Sequence, residues 1–293
     1  MSVAGWIKTN LRSLLYATLV VMLFIVVACG SSDTSAPRSA ATAAPADAAA
    51  PTAVPAAVSA AAGSVVNAGK LTILNSSWGA ELYTTWALGE VVGYNIREGE
   101  FPPLGEELMG LVITGSAANV PDQEPWMVVA QEWLRAAVPT GVPTFGVCFG
   151  HQLLAQALGG EVRLNPKGRE MSTVEIQRSA DSPLFEGVDE RFRANACHVD
   201  SVVELPEGAE ALASSEVDEH QCIRFSPTCF GVQFHPEFDA EVMRGYVEAR
   251  AELIAEEGLD PESLAERASD TPMSGQVLRN FVRHFVDPGA HEG

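Results

Sequence analysis

Positive charge is scarce in this sequence. Its 293 residues include 18 Lys and Arg against 38 Asp and Glu, a formal net charge of −20. A chain this acidic does not neutralise a phosphate backbone, so nucleic acid is excluded as a partner. The acidity is diffuse and reads as a solvated surface. Cysteine is also sparse: Cys29, Cys148, Cys197, Cys222 and Cys229. They include no C-x-x-C pair and no metal-ligand spacing with a histidine, so no metal site is expected. No disulfide framework is evident, and composition leaves the redox compartment open. There is no internal repeat and no P-loop, which leaves out solenoids and a Walker-type ATP site. No uncharged apolar stretch reaches the roughly 20 residues that span a bilayer comfortably. The run from Leu14 to Ala28 has 15 residues.

That run nevertheless carries information. It follows Lys8 and Arg12, as an apolar h-region follows a basic n-region. It closes on V-V-A-C, Val26 to Cys29, which resembles the lipobox of bacterial lipoproteins. Residues 1–29 are therefore expected to be a signal peptide, with Cys29 as the lipidated residue. An uncleaved signal anchor is the other reading. Either one attaches the chain to a membrane and places the remainder outside the cytoplasm, because Lys8 and Arg12 favour staying inside. A cytoplasmic location follows only if this reading of the N-terminus fails. Residues 30–69 are rich in Ala, Pro, Ser and Thr and almost devoid of large apolar groups. They cannot bury enough surface to offset ordering entropy and read as a disordered tether.

From Lys70 the pattern changes. KLTILN (70–75), MGLVITG (109–115) and VPTFGVC (142–148) read as buried parallel strands. PDQEPWMVVAQEWLRAAV has helical spacing, with Pro121 and Asp122 near its start, and GHQLLAQALGG is a helix stopped by Gly159–Gly160. This alternation predicts an α/β fold: an open, doubly wound, mostly parallel sheet with flanking helices. The middle of the chain is a series of short strand-like pieces: MSTVEIQRS, RFRANAC, SVVELP, HQCIRFSP and FGVQFHPE. They predict a small antiparallel extension or layer. AEVMRGYVEARAELIAEEG and SGQVLRNFVRHFV return to helical spacing, which gives one domain over residues 70–288.

The chemistry centres on G-V-C-F-G, residues 146–150. A cysteine between glycines, after a strand and before a helix, matches a nucleophile elbow, a strained turn that presents its central side chain. Gly146 and Gly150 remove Cβ atoms that would strike neighbouring backbone. The helix N-terminus favours thiolate at Cys148, and the Phe149 N–H would face an oxyanion formed there. A buried structural cysteine remains the alternative from these residues alone. F-G-V-Q-F-H-P-E-F adds His235 and Glu237, separated by a stiff Pro236. A thiol nucleophile needs a base that later serves as acid, and imidazole oriented by a carboxylate supplies both.

These two stretches resemble the signatures of class I glutamine amidotransferases. VITGSAANVPD (112–122) resembles that family's oxyanion loop, and HVDSVVELPEGAEALASS (198–215) its H-x-D-x-V-x-x-L-P segment. NPKGREMSTVEI and HQCIRF are similar to the free-standing, guanylate-synthase-like branch. The resemblance covers residues 70 to 287. It implies a flavodoxin-like fold and a catalytic set of Cys148, His235 and Glu237, with backbone oxyanion donors at Phe149, Gly115 and Ser116. Gln152 would contact a glutamine or γ-glutamyl substrate. His198 and Asp200 would shape that site or serve as structural hydrogen-bond partners, and His151 would pack or cap. The family pattern is Gly-Gly-Pro or Gly-Ser-Pro where this chain has Gly115-Ser116-Ala117, which raises the question of what stiffens the loop. The implied reaction is ammonia release through a γ-glutamyl thioester, without cofactor or metal. An ammonia-accepting synthase would be a separate chain, and hydrolysis of a γ-glutamyl amide outside the cytoplasm is the alternative. A catalytically idle tethered binding module is the third reading; the intact Cys–His–Glu set argues against it.

Overall fold

A computed structural model describes residues 71–75, 91–105 and 108–287. Cys29, the signal segment and the 30–69 tether lie outside the described residues. Eleven strands are described: β1 (Leu71–Asn75), β2 (Val91–Asn95), β3 (Gly110–Ile113), β4 (Thr144–Val147), β5 (Glu161–Leu164), β6 (Glu170–Arg178), β7 (Arg191–His198), β8 (Asp200–Glu204), β9 (Glu210–Ser214), β10 (Cys222–Ser226) and β11 (Cys229–Val232). Nine of them make one sheet in the order β2-β1-β3-β4-β11-β10-β9-β6-β7, and β5 pairs separately with β8.

The β2-β1-β3-β4-β11 half is parallel throughout. The β11-β10-β9-β6-β7 half is antiparallel throughout. The expected parallel sheet and its antiparallel extension are both present, and the extension accounts for half of the ladders. The parallel half has the sequence character of strands covered on both faces: β3, β4 and β11 are buried at every residue.

Six α-helices are described: α1 (Pro125–Ala137), α2 (Phe149–Ala157), α3 (Ala240–Glu248), α4 (Ala251–Glu256), α5 (Pro261–Arg267) and α6 (Pro272–Phe281). On one face of the sheet, Ile113, Met127, Leu134, Leu153 and Leu154 from β3, α1 and α2 share a core. On the other, Phe145, Val147 and Val232 meet Val277, Leu278 and Phe281 of α6, with Phe145 and Phe281 rings 5.0 Å apart. A third cluster joins Met171 of β6 to Phe238, Met243 and Val247 around α3, and to Ile254 and Leu264 of α4 and α5.

Two sequence expectations change in detail. The first helix begins at Pro125, and Pro121 and Asp122 occupy a preceding 3-10 turn, Val120–Asp122. Proline is well placed at the first turn of α1, where no N–H partner exists. The AEVMRGYVEARAELIAEEG segment divides at Ala249–Arg250 into α3 and α4, with Arg250 at φ −119°, ψ 14°.

Candidate active site

Cys148 stands between β4 and α2 at φ 49°, ψ −104°. A β-carbon in this region costs on the order of 1–3 kcal/mol and persists only where surroundings fix it. Here they do. The Cys148 N–H donates to Val232 O at 2.8 Å, and its carbonyl accepts from the Gln152 N–H at 3.0 Å. Both flanking glycines are sterically required. A Cβ on Gly146 would lie 2.6 Å from the Gly150 carbonyl, and one on Gly150 would lie 2.7 Å from the Ile113 carbonyl carbon and closer still to its oxygen. The helix therefore sits directly on β3 and β4, and the thiol is presented at the carboxyl edge of the parallel strands.

β11 ends at Val232, and His235 lies three residues beyond it. An isolated bridge to Asn195 of β7 holds its backbone, His235 N–H to Asn195 O at 2.7 Å. The imidazole Nδ1 is 2.8 Å from Glu237 Oε1. Phe238 stacks on the ring, centroids 4.1 Å apart and planes at 15°. Orientation is thus set by a carboxylate on one edge and an aromatic face below. With Nδ1 engaged by Glu237, Nε2 is the nitrogen left for the thiol.

The electrostatics follow from this placement. Burial pushes the Cys148 thiol up, but the His235 charge and a hydrogen bond to that ring outweigh it, and the thiol falls below its ordinary value. Burial also opposes charge on His235, yet Glu237 and then Cys148 raise its pKa well above the ordinary value. The pair favours thiolate and imidazolium. Cys222 and Cys229 are buried with their thiols pushed upward, so neither is a competing nucleophile.

Gly115 adjoins both reacting groups: a Cβ there would lie 2.9 Å from His235 Cε1 and 3.9 Å from Cys148 Cβ. Only a glycine lets this loop approach the imidazole. Ser116 Oγ accepts from the Ala118 N–H at 3.1 Å, a local turn that supplies the stiffness expected of proline. Phe149 opens α2, where an N–H has no intrahelical acceptor.

The structure gives the remaining predicted residues internal partners. Gln152 is buried, and its Nε2 donates to Asp200 O at 2.8 Å and Gln233 Oε1 at 2.9 Å. His198 is held between Asp200 O (Nδ1, 2.9 Å) and Glu170 Oε2 (Nε2, 3.0 Å). Burial would lower the His198 pKa, but Glu170, followed by Asp218 and Cys148, raises it. The carboxyl of Asp200 is raised by burial and by Asp122. Sequence reasoning missed Glu170, which also accepts from Ser215 Oγ at 2.6 Å and from Gln221 Nε2. Its only sequence signal was its place in the G-R-E-M stretch. Sequence reasoning had His151 packing or capping. It packs: the ring is fully buried, and burial lowers its pKa to about 4. Among the described residues no group of three His, Cys, Asp or Glu could hold a metal ion.

Comparison with known proteins is consistent with this geometry. The family described as glutamine amidotransferase class-I matches residues 92–250. Gamma-glutamyl peptidase 3 of Arabidopsis thaliana is 29% identical over 227 residues, covering 73% of this chain and 89% of that one. One component chain of the glutamine-hydrolyzing GMP synthase of Archaeoglobus fulgidus is 38% identical over 113 residues, 36% of this chain and 61% of that one. The crystal structure of a glutamine amidotransferase from Thermotoga maritima superimposes with a TM-score of 0.61 at 23% identity, covering 76% of this chain and all of that one. That last likeness establishes a shared fold.

Proposed function

Because the chain belongs to the class I glutamine amidotransferase family, we propose that it hydrolyses the γ-amide of glutamine or of another γ-glutamyl compound, with Cys148 as nucleophile. One observation carries the reading: a cysteine held at φ 49° beside an imidazole whose Nδ1 is 2.8 Å from Glu237. The Cys148 thiolate attacks the γ-carbonyl carbon, and backbone N–H groups of Phe149 and the Gly115–Ser116 loop receive the oxyanion. Such donors typically contribute about 10²–10³ in rate. His235 Nε2 gives its proton to the leaving nitrogen as the C–N bond breaks, releasing ammonia or an amine. His235 then takes a proton from water, which cleaves the γ-glutamyl thioester to glutamate and restores the thiol. Glu237 supports the imidazolium throughout.

The N-terminal reading belongs to the same proposal. A lipidated Cys29 followed by a 30–69 tether places the 70–288 domain at the outer face of a membrane. An ATP-dependent synthase is not supplied there, which favours hydrolysis over ammonia delivery. Among the described residues no helix is long and apolar enough to cross a membrane.

The test is glutamate release by the purified chain from glutamine and from a panel of γ-glutamyl amides. Cys148→Ala should lose activity by about 10³-fold or more while keeping its fold by circular dichroism, and Cys222→Ala and Cys229→Ala should keep most of it. A Cys148→Ala protein that still turns over, or a wild type inert on the whole panel, defeats the assignment.

A further inference from the structure

His198 is buried with an acceptor at each ring nitrogen. Nδ1 is 2.9 Å from the Asp200 carbonyl oxygen, and Nε2 is 3.0 Å from Glu170 Oε2. A carbonyl cannot donate, so Nδ1 carries a hydrogen. The state of Glu170 decides Nε2. Its Oε2 also accepts from Gln221 Nε2, and its Oε1 accepts from Ser215 Oγ at 2.6 Å. Ser215 Oγ itself accepts from the Asp218 N–H at 3.0 Å and from Gln221 Nε2 at 3.3 Å, which leaves its one hydrogen for Glu170. Three donors converging on one carboxyl favour its ionised form. An ionised Glu170 requires a hydrogen on His198 Nε2 as well. The two side chains are 3% and 2% exposed, so solvent is shut out of the contact. The ring is an imidazolium with an acceptor on both edges.

The charges that face it are Glu170 of β6, Asp218 between β9 and β10 with a carboxylate oxygen 4.0 Å from Nδ1, Asp200 of β8, and Cys148. On α2, His151 is kept neutral chiefly by burial, and the charges of His220 and His198 act in the same sense. His198 follows Cys197, whose carbonyl lies 3.9 Å from Cys148 Sγ. Burial raises the Cys148 thiol; the His235 charge and hydrogen bond, and then the His198 charge, lower it, with Glu237 opposing. Cys197, its own thiol pushed up by burial, stands neutral beside them. We propose that Glu170 is a positioning residue for the reaction, acting through His198 to fix a second, permanent cation beside the Cys148 thiolate. The proposal rests on the hydrolase reading above. His235 gives its proton to the leaving nitrogen and regains one from water, so its charge comes and goes. Both hydrogens of His198 are committed to acceptors. Its charge therefore persists when Cys148 attacks as thiolate and again when the thiolate leaves the thioester.

The experiment follows Cys148 alkylation by iodoacetamide against pH, resolved by peptide, in wild type, Glu170→Gln, His198→Gln and the double variant. The pH profile of kcat/KM is measured alongside. The alkylation midpoint and the acid limb should rise by about one pH unit in each single variant, a tenfold loss of thiolate below the midpoint. The double variant should rise no further, because the two residues act as one device. An unmoved midpoint in folded Glu170→Gln overturns the proposal, as do additive shifts in the double variant. Ring 15N spectra of the wild type, with His198 assigned through its backbone, decide the matter even where a variant does not fold. Both His198 nitrogens should be protonated from about pH 6 to about pH 8, and a neutral ring at about pH 7 overturns the proposal. Neither alkylation nor spectra need turnover. A chain inert on every γ-glutamyl compound, with the midpoint moving as stated, loses the hydrolase and keeps the Glu170–His198 pair. Turnover with an unmoved midpoint does the reverse.

Discussion

Replacing Glu237 with Gln separates charge from geometry at the catalytic histidine. The amide oxygen can still accept the Nδ1–H bond now made at 2.8 Å, so ring orientation is retained while the negative charge is lost. With charge centres about 5 Å apart and an effective dielectric of about 20, that charge contributes roughly 3 kcal/mol to imidazolium, or about 2 pH units. The sign follows from which form is charged. Glu237 raises the His235 pKa, so its neutralisation lowers that pKa, and the alkaline limb of kcat/KM moves to lower pH by up to that amount. Direct repulsion by Glu237 is the smallest influence on Cys148 and raises its pKa, so the acid limb should move slightly, in the same direction. The bell narrows from the alkaline side. The assay is kcat/KM for γ-glutamyl hydrolysis against pH, alongside peptide-resolved alkylation of Cys148 by iodoacetamide. His235→Ala is the reference, expected to lose about 10²–10⁴-fold. An unmoved or rising alkaline limb in Glu237→Gln would refute the charge argument.

Three further outcomes follow from particular residues. Gly150→Ala should destabilise the fold by about 1–3 kcal/mol through overpacking against Ile113, read as a lower urea midpoint; an unchanged midpoint would contradict the helix–strand contact. His151 has an ordinary pKa of 6.5 when unfolded and about 4 when folded, so the unfolded chain binds the extra proton between those values and stability falls as pH drops through that window. His151→Leu should remove this slope, gaining about 2–3 kcal/mol relative to wild type between pH 7 and pH 4.5; parallel pH dependences would show that His151 titrates normally. In a bacterial host the chain should fractionate with membranes and incorporate labelled palmitate, and Cys29→Ala should not incorporate it. Soluble, unlabelled wild-type protein would remove the lipoprotein reading and restore an ammonia-donating role.

Strands β1, β3 and β4 and helix α2 could be read from the sequence because short apolar runs bounded by glycines and turn residues have few other solutions. The elbow was legible for the same reason: Gly146 and Gly150 have no purpose in an ordinary helix start. Other elements carried weak signals. β2 contains Gly93, β9 is Glu-Ala-Leu-Ala-Ser with helical propensity, and both are strands because neighbouring ladders need partners. The helix division at Ala249–Arg250 has no glycine or proline to announce it. The sequence by itself determined which residue types could perform the chemistry and where the turn that presents the thiol must fall, since those depend on local sterics. Tertiary structure decided the rest. It brought His235 to Cys148 across 87 positions of chain, directed Gln152 and His198 to internal partners and paired Glu170 with His198. Long-range distance and desolvation set those outcomes, and neither is encoded in any local pattern.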